Sequence, residues 1–146
     1  RAYVKNLIKS RKDAKAILND TDPAPDDGAK LEGRLFIEKI YALMDSHIAD
    51  SGFKVEAFGQ SIGLSRVQLY RRIKEQTGYS PNELLRVYRL QKAKKLLSTT
   101  DLAVAEVAYR VGFSSPAYFT KCYREFYKEL PTAFLKRMAL KNEDSL

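Results

Sequence analysis

Arg66, Val67, Tyr70, Arg71 and Lys74 recur three and four residues apart in one stretch of the chain, and Ser115, Ala117, Tyr118, Thr120, Lys121 and Arg124 do much the same in another. These are residue types with something to offer a nucleic-acid duplex. Arginine pairs through two donors with guanine, and apolar groups touch the thymine methyl. Lysine, arginine and hydroxyls bind phosphate oxygens, which positions a protein without reading sequence. The residue types that catalysis needs are scarce. There is one histidine, His47, and one cysteine, Cys122. Paired metal-ligand spacing, a Gly-rich phosphate loop and a nucleophile–base constellation are all missing. No enzyme activity, metal or cofactor is expected of this stretch. Cys122 reads as a packed thiol and His47 as an exposed or satisfied side chain.

Helices must carry these residues, because apolar residues recur at helical rather than alternating spacing throughout. Leu35, Phe36, Ile40, Tyr41, Met44 and Ile48 mark one face of a first helix ending near Gly52. Residues 55–62 read as a short helix and Gly63-Leu64-Ser65 as a tight turn, with Ser65 capping a helix over 66–76 that Gly78 stops. Ser80-Pro81, with Glu83 in the first turn, opens a long helix over 81–99. Residues 104–111, the turn Gly112-Phe113-Ser114, residues 115–127 and a last helix over 131–141 complete an all-α reading. Upstream, Tyr3, Val4, Leu7, Ile8, Ala14, Ile17 and Leu18 predict an amphipathic helix, and the Asp-, Pro- and Gly-rich residues 19–28 a linker. The expected division is residues 1–30 as helix and linker and 31–146 as the main domain.

The main domain repeats itself. Shifting by 49 residues places Phe58 on Val107, Gly59 on Ala108, Ile62 on Val111, Gly63 on Gly112 and Ser65 on Ser114. Shifting by 50 then places Leu69 on Phe119, Ile73 on Tyr123 and Pro81 on Pro131. Small residues where two helices cross, glycines at turns that tolerate positive φ, and apolar inward faces are the requirements of a helix-turn-helix. The two units are expected at 55–78 and 104–128. In such a unit the second helix enters the major groove with its N-terminal half toward the bases. Removing the inward face leaves Arg66, Val67, Tyr70, Arg71 and Lys74 in the first unit, with Arg71 and Arg66 as the leading base-contacting candidates and Val67 and Tyr70 beside them; in the second it leaves Ser115, Ala117, Tyr118, Thr120, Lys121 and Arg124, with Lys121 the leading one. Ser65, Lys74, Lys94, Ser115, Thr120 and Arg124 are the phosphate-contacting candidates. A linking helix of about 18 residues spans about 27 Å, against about 34 Å between successive major-groove faces on one side of the duplex. One chain is therefore expected to read two adjacent groove segments.

Charge points the same way. The 146-residue chain carries +8, with a pI near 9.5, and 45% of its residues are hydrophobic, enough for a core. Nine Lys/Arg against two acids fall between Arg66 and Lys95. Arg89 reads as a structural tie rather than a base reader. The competing reading is a helical protein-interaction module whose basic face meets an acidic partner. A single cysteine rules out an intramolecular disulfide and fits a reducing compartment. No apolar run approaches the ~20 residues of a membrane span.

Residues 35–138 resemble the DNA-binding domain of AraC/XylS-type transcription regulators. The carrying motifs are Gly63-Leu64-Ser65-Arg66, Leu69-Tyr70-Arg71-Arg72-Ile73-Lys74, Thr77-Gly78-Tyr79-Ser80-Pro81, Arg89-Leu90-Gln91-Lys92-Ala93 and Val107-Ala108-Tyr109-Arg110-Val111-Gly112-Phe113-Ser114-Ser115, with Tyr118-Phe119 and Pro131. The resemblance implies seven helices, two helix-turn-helix units and control of transcription. Its base-contacting positions fall on Val67, Tyr70, Arg71, Ala117, Tyr118 and Lys121. Two positions depart from the family pattern. Arg72 stands where an apolar residue is usual, so Tyr70 is expected to take over part of the packing. Lys128 stands where glycine is usual, so a different turn is expected before the last helix.

Residues 4–11 resemble the end of the last helix of a response-regulator receiver domain. That implies a hybrid two-component protein, with a phosphorylatable aspartate and a histidine kinase upstream of a chain that opens on Arg1 in mid-helix. The partners implied are double-stranded DNA and RNA polymerase, with homodimerisation through upstream domains and no membrane contact by this stretch. The implied location is the cytoplasm, with the whole protein anchored in the inner membrane.

Overall fold

The computed structural model describes residues 27–144. The amphipathic helix expected over 3–18 and most of the linker after it lie outside the described residues. Seven α-helices and one short 3-10 turn make up the described part, with no strand among the described residues. They are α1 (Asp27–Ser46), α2 (Glu56–Gly59) continued by the 3-10 turn Gln60–Ile62, α3 (Arg66–Thr77), α4 (Pro81–Thr99), α5 (Val104–Arg110), α6 (Pro116–Tyr127) and α7 (Pro131–Asp144). The all-α, seven-helix expectation holds. The chain divides into two compact units. The first takes in α1 to α3 and the start of α4, through Arg86. The second takes in Ile48–Gly52 and everything from Val87 onward.

In the first unit α1 packs on α3, and α2 packs on α3. Gly33, Phe36, Ile37, Ile40, Tyr41 and Met44 form the buried face of α1 at three- and four-residue spacing. Leu35, expected on that face, is 53% exposed, and Ile37 takes its place. The helix also starts a turn before Leu31. Residues 28–32 are all exposed, so apolar periodicity carries no mark of that first turn. At the other end α1 stops at Ser46, and Ile48 packs against the core of the second unit.

Local chemistry sets the remaining boundaries. Ser65 and Gln68 form a reciprocal capping box: the Gln68 amide donates to Ser65 Oγ at 3.2 Å, and the Ser65 amide donates to Gln68 Oε1 at 2.9 Å. The α4 entry uses a related cap, built on a serine and a glutamate. Ser80 Oγ accepts from the Glu83 amide at 3.3 Å and donates to Glu83 Oε1 at 2.9 Å, and Pro81 follows it.

The second unit is closed by one core: Leu90, Ala93 and Leu97 of α4, Val107, Ala108, Val111 and Phe113 around the turn, Phe119, Cys122 and Tyr123 of α6, and Phe134 of α7. Phe119 stands between Phe113 (5.2 Å, edge-on) and Tyr123 (5.7 Å), and Tyr123 touches Tyr127 (4.7 Å). The Tyr123 hydroxyl is buried without a hydrogen-bond partner among the described residues. Burial, helped by the charge of Glu129, pushes its ionisation well above the usual tyrosine value. The unfolded chain ionises near pH ~10 while the native core holds its proton, so this contribution to stability is complete below pH ~10 and is lost as pH rises further. Tyr123→Phe should leave stability at neutral pH unchanged or slightly improved and make the loss above pH ~10 shallower, as read by urea unfolding across pH. A variant that loses stability at pH 7 would show that the hydroxyl has a partner.

The turn before α7 keeps the geometry that glycine would give. Lys128 adopts the left-handed conformation, φ 62°, and its amide donates to the Arg124 carbonyl at 2.8 Å. The expectation of a different turn is therefore corrected. The helix end needs that hydrogen bond, and lysine adopts the strained conformation to make it. Lys128→Gly should stabilise the chain by about 0.5–1 kcal/mol, strain relief being partly offset by a more flexible unfolded state. A thermal melt that does not rise by a few degrees would mean that the lysine pays no such strain.

Candidate nucleic-acid interface

The repeat seen in the residues holds in the backbone with one correction: Ser115, not Ser114, takes the place of Ser65 as the helix cap. In the first turn the Leu64 amide donates to the Gly59 carbonyl (2.8 Å) and the Gly63 amide to Gln60 (3.3 Å). In the second, Phe113 donates to Ala108 (3.0 Å) and Gly112 to Tyr109 (3.1 Å). Both turns pass through a left-handed glycine, φ 74° at Gly63 and 93° at Gly112. After the turns, Leu69 donates to Ser65 (2.9 Å) where Phe119 donates to Ser115 (3.0 Å), and Gly78 to Lys74 (2.8 Å) where Lys128 donates to Arg124. Residues fifty apart on α3 and α6 are thus equivalent in their own units.

Each of these helices seals one face and exposes the other. On α3, Leu69, Ile73 and Thr77 are buried, while Arg66, Val67, Tyr70, Arg71 and Lys74 are exposed. Val67 is 75% exposed, a high figure for an aliphatic side chain on a packed helix. Tyr70 does not turn inward to compensate for Arg72. Instead Arg72 lays its guanidinium over the Phe36 ring at 4.1 Å and is half-buried, so the expectation for Tyr70 is corrected. On α6, Phe119, Cys122 and Tyr123 are buried and Ala117, Tyr118, Lys121 and Arg124 are exposed. Thr120 and Ser115 are half-buried. The Tyr118 ring leans on Phe113, centroids 5.9 Å apart, which leaves one side of it outward.

Both helix starts are capped by serine. Ser115 Oγ accepts from the Tyr118 amide at 3.3 Å, as Ser65 Oγ does from Gln68. Each hydroxyl keeps its proton to donate to a phosphate, and a helix N-terminus favours an anion. Gln68 was absent from the sequence-derived candidates, although Ser-x-x-Gln is a recognisable capping signature.

Several cations that look available in the sequence are engaged in packing. Arg89 is 9% exposed and donates to the Asp50 carbonyl at 2.7 Å. Burial lowers its pKa, and the charge of Asp50 works against that shift. This supports its reading as a structural tie. Lys92 lies over the Tyr88 ring (5.7 Å), and Lys94 lies over both Tyr127 (4.4 Å) and Phe134 (5.2 Å). Lys94, expected on phosphate, is thereby committed to the packing of its own unit. Of the nine cations between Arg66 and Lys95, five remain exposed: Arg66, Arg71, Lys74, Arg86 and Lys95. Three of those five are on α3. Among the described residues no group of three His, Cys, Asp or Glu comes together as a metal site, and no helix is long and apolar enough to cross a membrane.

Two capped helices, each presented by a left-handed glycine turn with a polar face outward, define a protein with two helix-turn-helix units. The family model described as a helix-turn-helix domain matches residues 59–137. The chain belongs to this helix-turn-helix family, of the AraC/XylS type. It is similar to the C-terminal domain of the two-component response regulator yesN from Fusobacterium nucleatum, at 30% identity and a TM-score of 0.61 over 67% of this chain and 95% of that one. It is similar also to the DNA-binding domain of AdpA, a global transcriptional factor solved in complex with a target DNA, at 30% identity and a TM-score of 0.66 over 71% of this chain and 93% of that one. Histidine kinase P4 of Formosa agariphila is 31% identical over 140 residues, which cover 94% of this chain and 10% of that protein. The chain thus spans about a tenth of the length of that curated relative.

Proposed function

We propose that this chain is the DNA-binding output domain of a transcription regulator and reads double-stranded DNA with α3 and α6 in major grooves. One observation carries the reading: each helix follows a turn of the same backbone geometry and directs outward a face that carries one small apolar residue, a tyrosine and cations. Arg66, Val67, Tyr70 and Arg71 face base edges from α3, and Ala117, Tyr118 and Lys121 from α6. Ser65, Lys74, Ser115, Thr120 and Arg124 hold phosphates, Thr120 with only part of its surface free. The likeness to a domain solved on its target DNA supports this reading.

The likeness to a response regulator's C-terminal domain supports a place at the output end of a two-component protein. The match along one tenth of a histidine kinase supports a longer protein with a receiver and kinase upstream, where it would dimerise and be anchored in the inner membrane. The output domain then works in the cytoplasm, and control of transcription brings it into contact with RNA polymerase.

Selection of bound sequences from a random duplex pool at near-physiological salt tests the proposal, paired with a salt titration. Enriched motifs are expected, together with a log–log salt slope of about −0.9 per phosphate neutralised. Binding to an acidic protein that is indifferent to duplex competitor, with no enriched motif, would favour the interaction-module reading instead.

A further inference from the structure

We infer that the DNA site carries two copies of one short element, a thymine and a guanine within about two base pairs of each other, and that α3 reads its copy strictly while α6 reads its copy loosely. This rests on the proposal above that both helices enter major grooves. The fifty-residue equivalence of the two units, held by matched backbone hydrogen bonds at both ends of each helix, aligns Val67 with Ala117 and Arg71 with Lys121. All four are exposed. Within each pair the apolar residue precedes the cation by four residues, so both point the same way about 6 Å apart along the helix, against about 3.4 Å between stacked base pairs. The outward face therefore offers the same chemistry twice, a methyl contact followed one turn later by a cation.

The flanking positions differ. Arg66 aligns with Pro116, Gln68 with Tyr118 and Tyr70 with Thr120, which confines the shared element to two base pairs. Strictness follows from the cation. The arginine fork is satisfied in full only where two acceptors lie side by side in the major groove, and guanine O6 and N7 are that pair. A lysine ammonium is satisfied by any single acceptor, including adenine N7 and thymine O4. Val67, 75% exposed, brings two methyl groups where Ala117 brings one. Replacing the guanine is expected to weaken binding by about 5- to 150-fold at the α3 element and by no more than about fivefold at the α6 element.

Sequence selection with the 146-residue chain and three variants tests this. Arg71→Lys identifies the α3 element by relaxing it. Lys121→Arg, alone and combined with Ala117→Val, places the α3 chemistry on α6. All the substituted positions are exposed, and circular dichroism checks that each variant is folded. The natural chain should select one strict and one degenerate element, and the double variant two strict ones alike. An α6 element that is already the stricter in the natural chain, or that stays unchanged in both α6 variants while selection as a whole remains specific, would overturn this inference alone. No enrichment by any variant would overturn it together with the proposed function.

Discussion

Gly112→Ala is expected to destabilise the second helix-turn-helix unit by about 4 kcal/mol or more, a large share of the roughly 5–15 kcal/mol that holds a domain folded. Two costs combine. At φ 93° an alanine pays roughly 1–2 kcal/mol for its backbone alone. Its Cβ would also run into the Ile48 carbonyl oxygen and lie 2.8 Å from Arg89 Nε. Arg89 cannot give way cheaply, because it is buried and its guanidinium donates to the Asp50 carbonyl. Displacing it strands a buried charge, which costs about 3–5 kcal/mol. The equivalent Gly63→Ala meets nothing within 4 Å and should cost only the backbone strain, about 1 kcal/mol. Urea unfolding of the two variants side by side decides the matter. Equal losses would show that Arg89 and the Ile48–Gly52 segment yield freely and do not brace the turn.

Arg71→Ala should weaken binding at a cognate duplex by about 1–3 kcal/mol and flatten the preference at one base pair. The guanidinium is exposed, it leaves α3 one turn beyond the exposed Val67, and Leu69 and Ile73 anchor the opposite face of the helix. Nothing in the packing of the first unit calls for a cation there, unlike Arg72 beside it, which covers Phe36. Competition binding against single-base variants of the selected site reads the effect. A uniform loss on every sequence, with a shallower salt slope, would place Arg71 on a phosphate instead.

Much of this was legible in the residues because the governing rules are local. Ser65, Ser80 and Ser115 cap helices, Gly63, Gly78 and Gly112 take left-handed turns, and Pro81 and Pro131 open helices, all through contacts within four residues in the chain. The repeat was legible for the same reason, since two copies of one local pattern announce themselves at a fixed offset. The outward faces of α3 and α6 followed by subtracting an apolar stripe. The solvent-exposed first turn of α1 did not follow, because it has no stripe to read.

Residue order is enough to give the helices, the doubled turn and the side chains that can face outward. What each cation does depends on packing between elements distant in the chain. Arg72, Arg89 and Lys94 look like their neighbours in the chain, yet one covers a phenylalanine, one ties down a loop carbonyl and one lies over two rings, leaving Arg66, Arg71 and Lys74 exposed on α3. The physical reason is range. Caps and turns are settled by neighbours in sequence, whereas a long charged side chain is settled by whichever ring or carbonyl the fold brings within its reach, here from residues as far as 40 positions away.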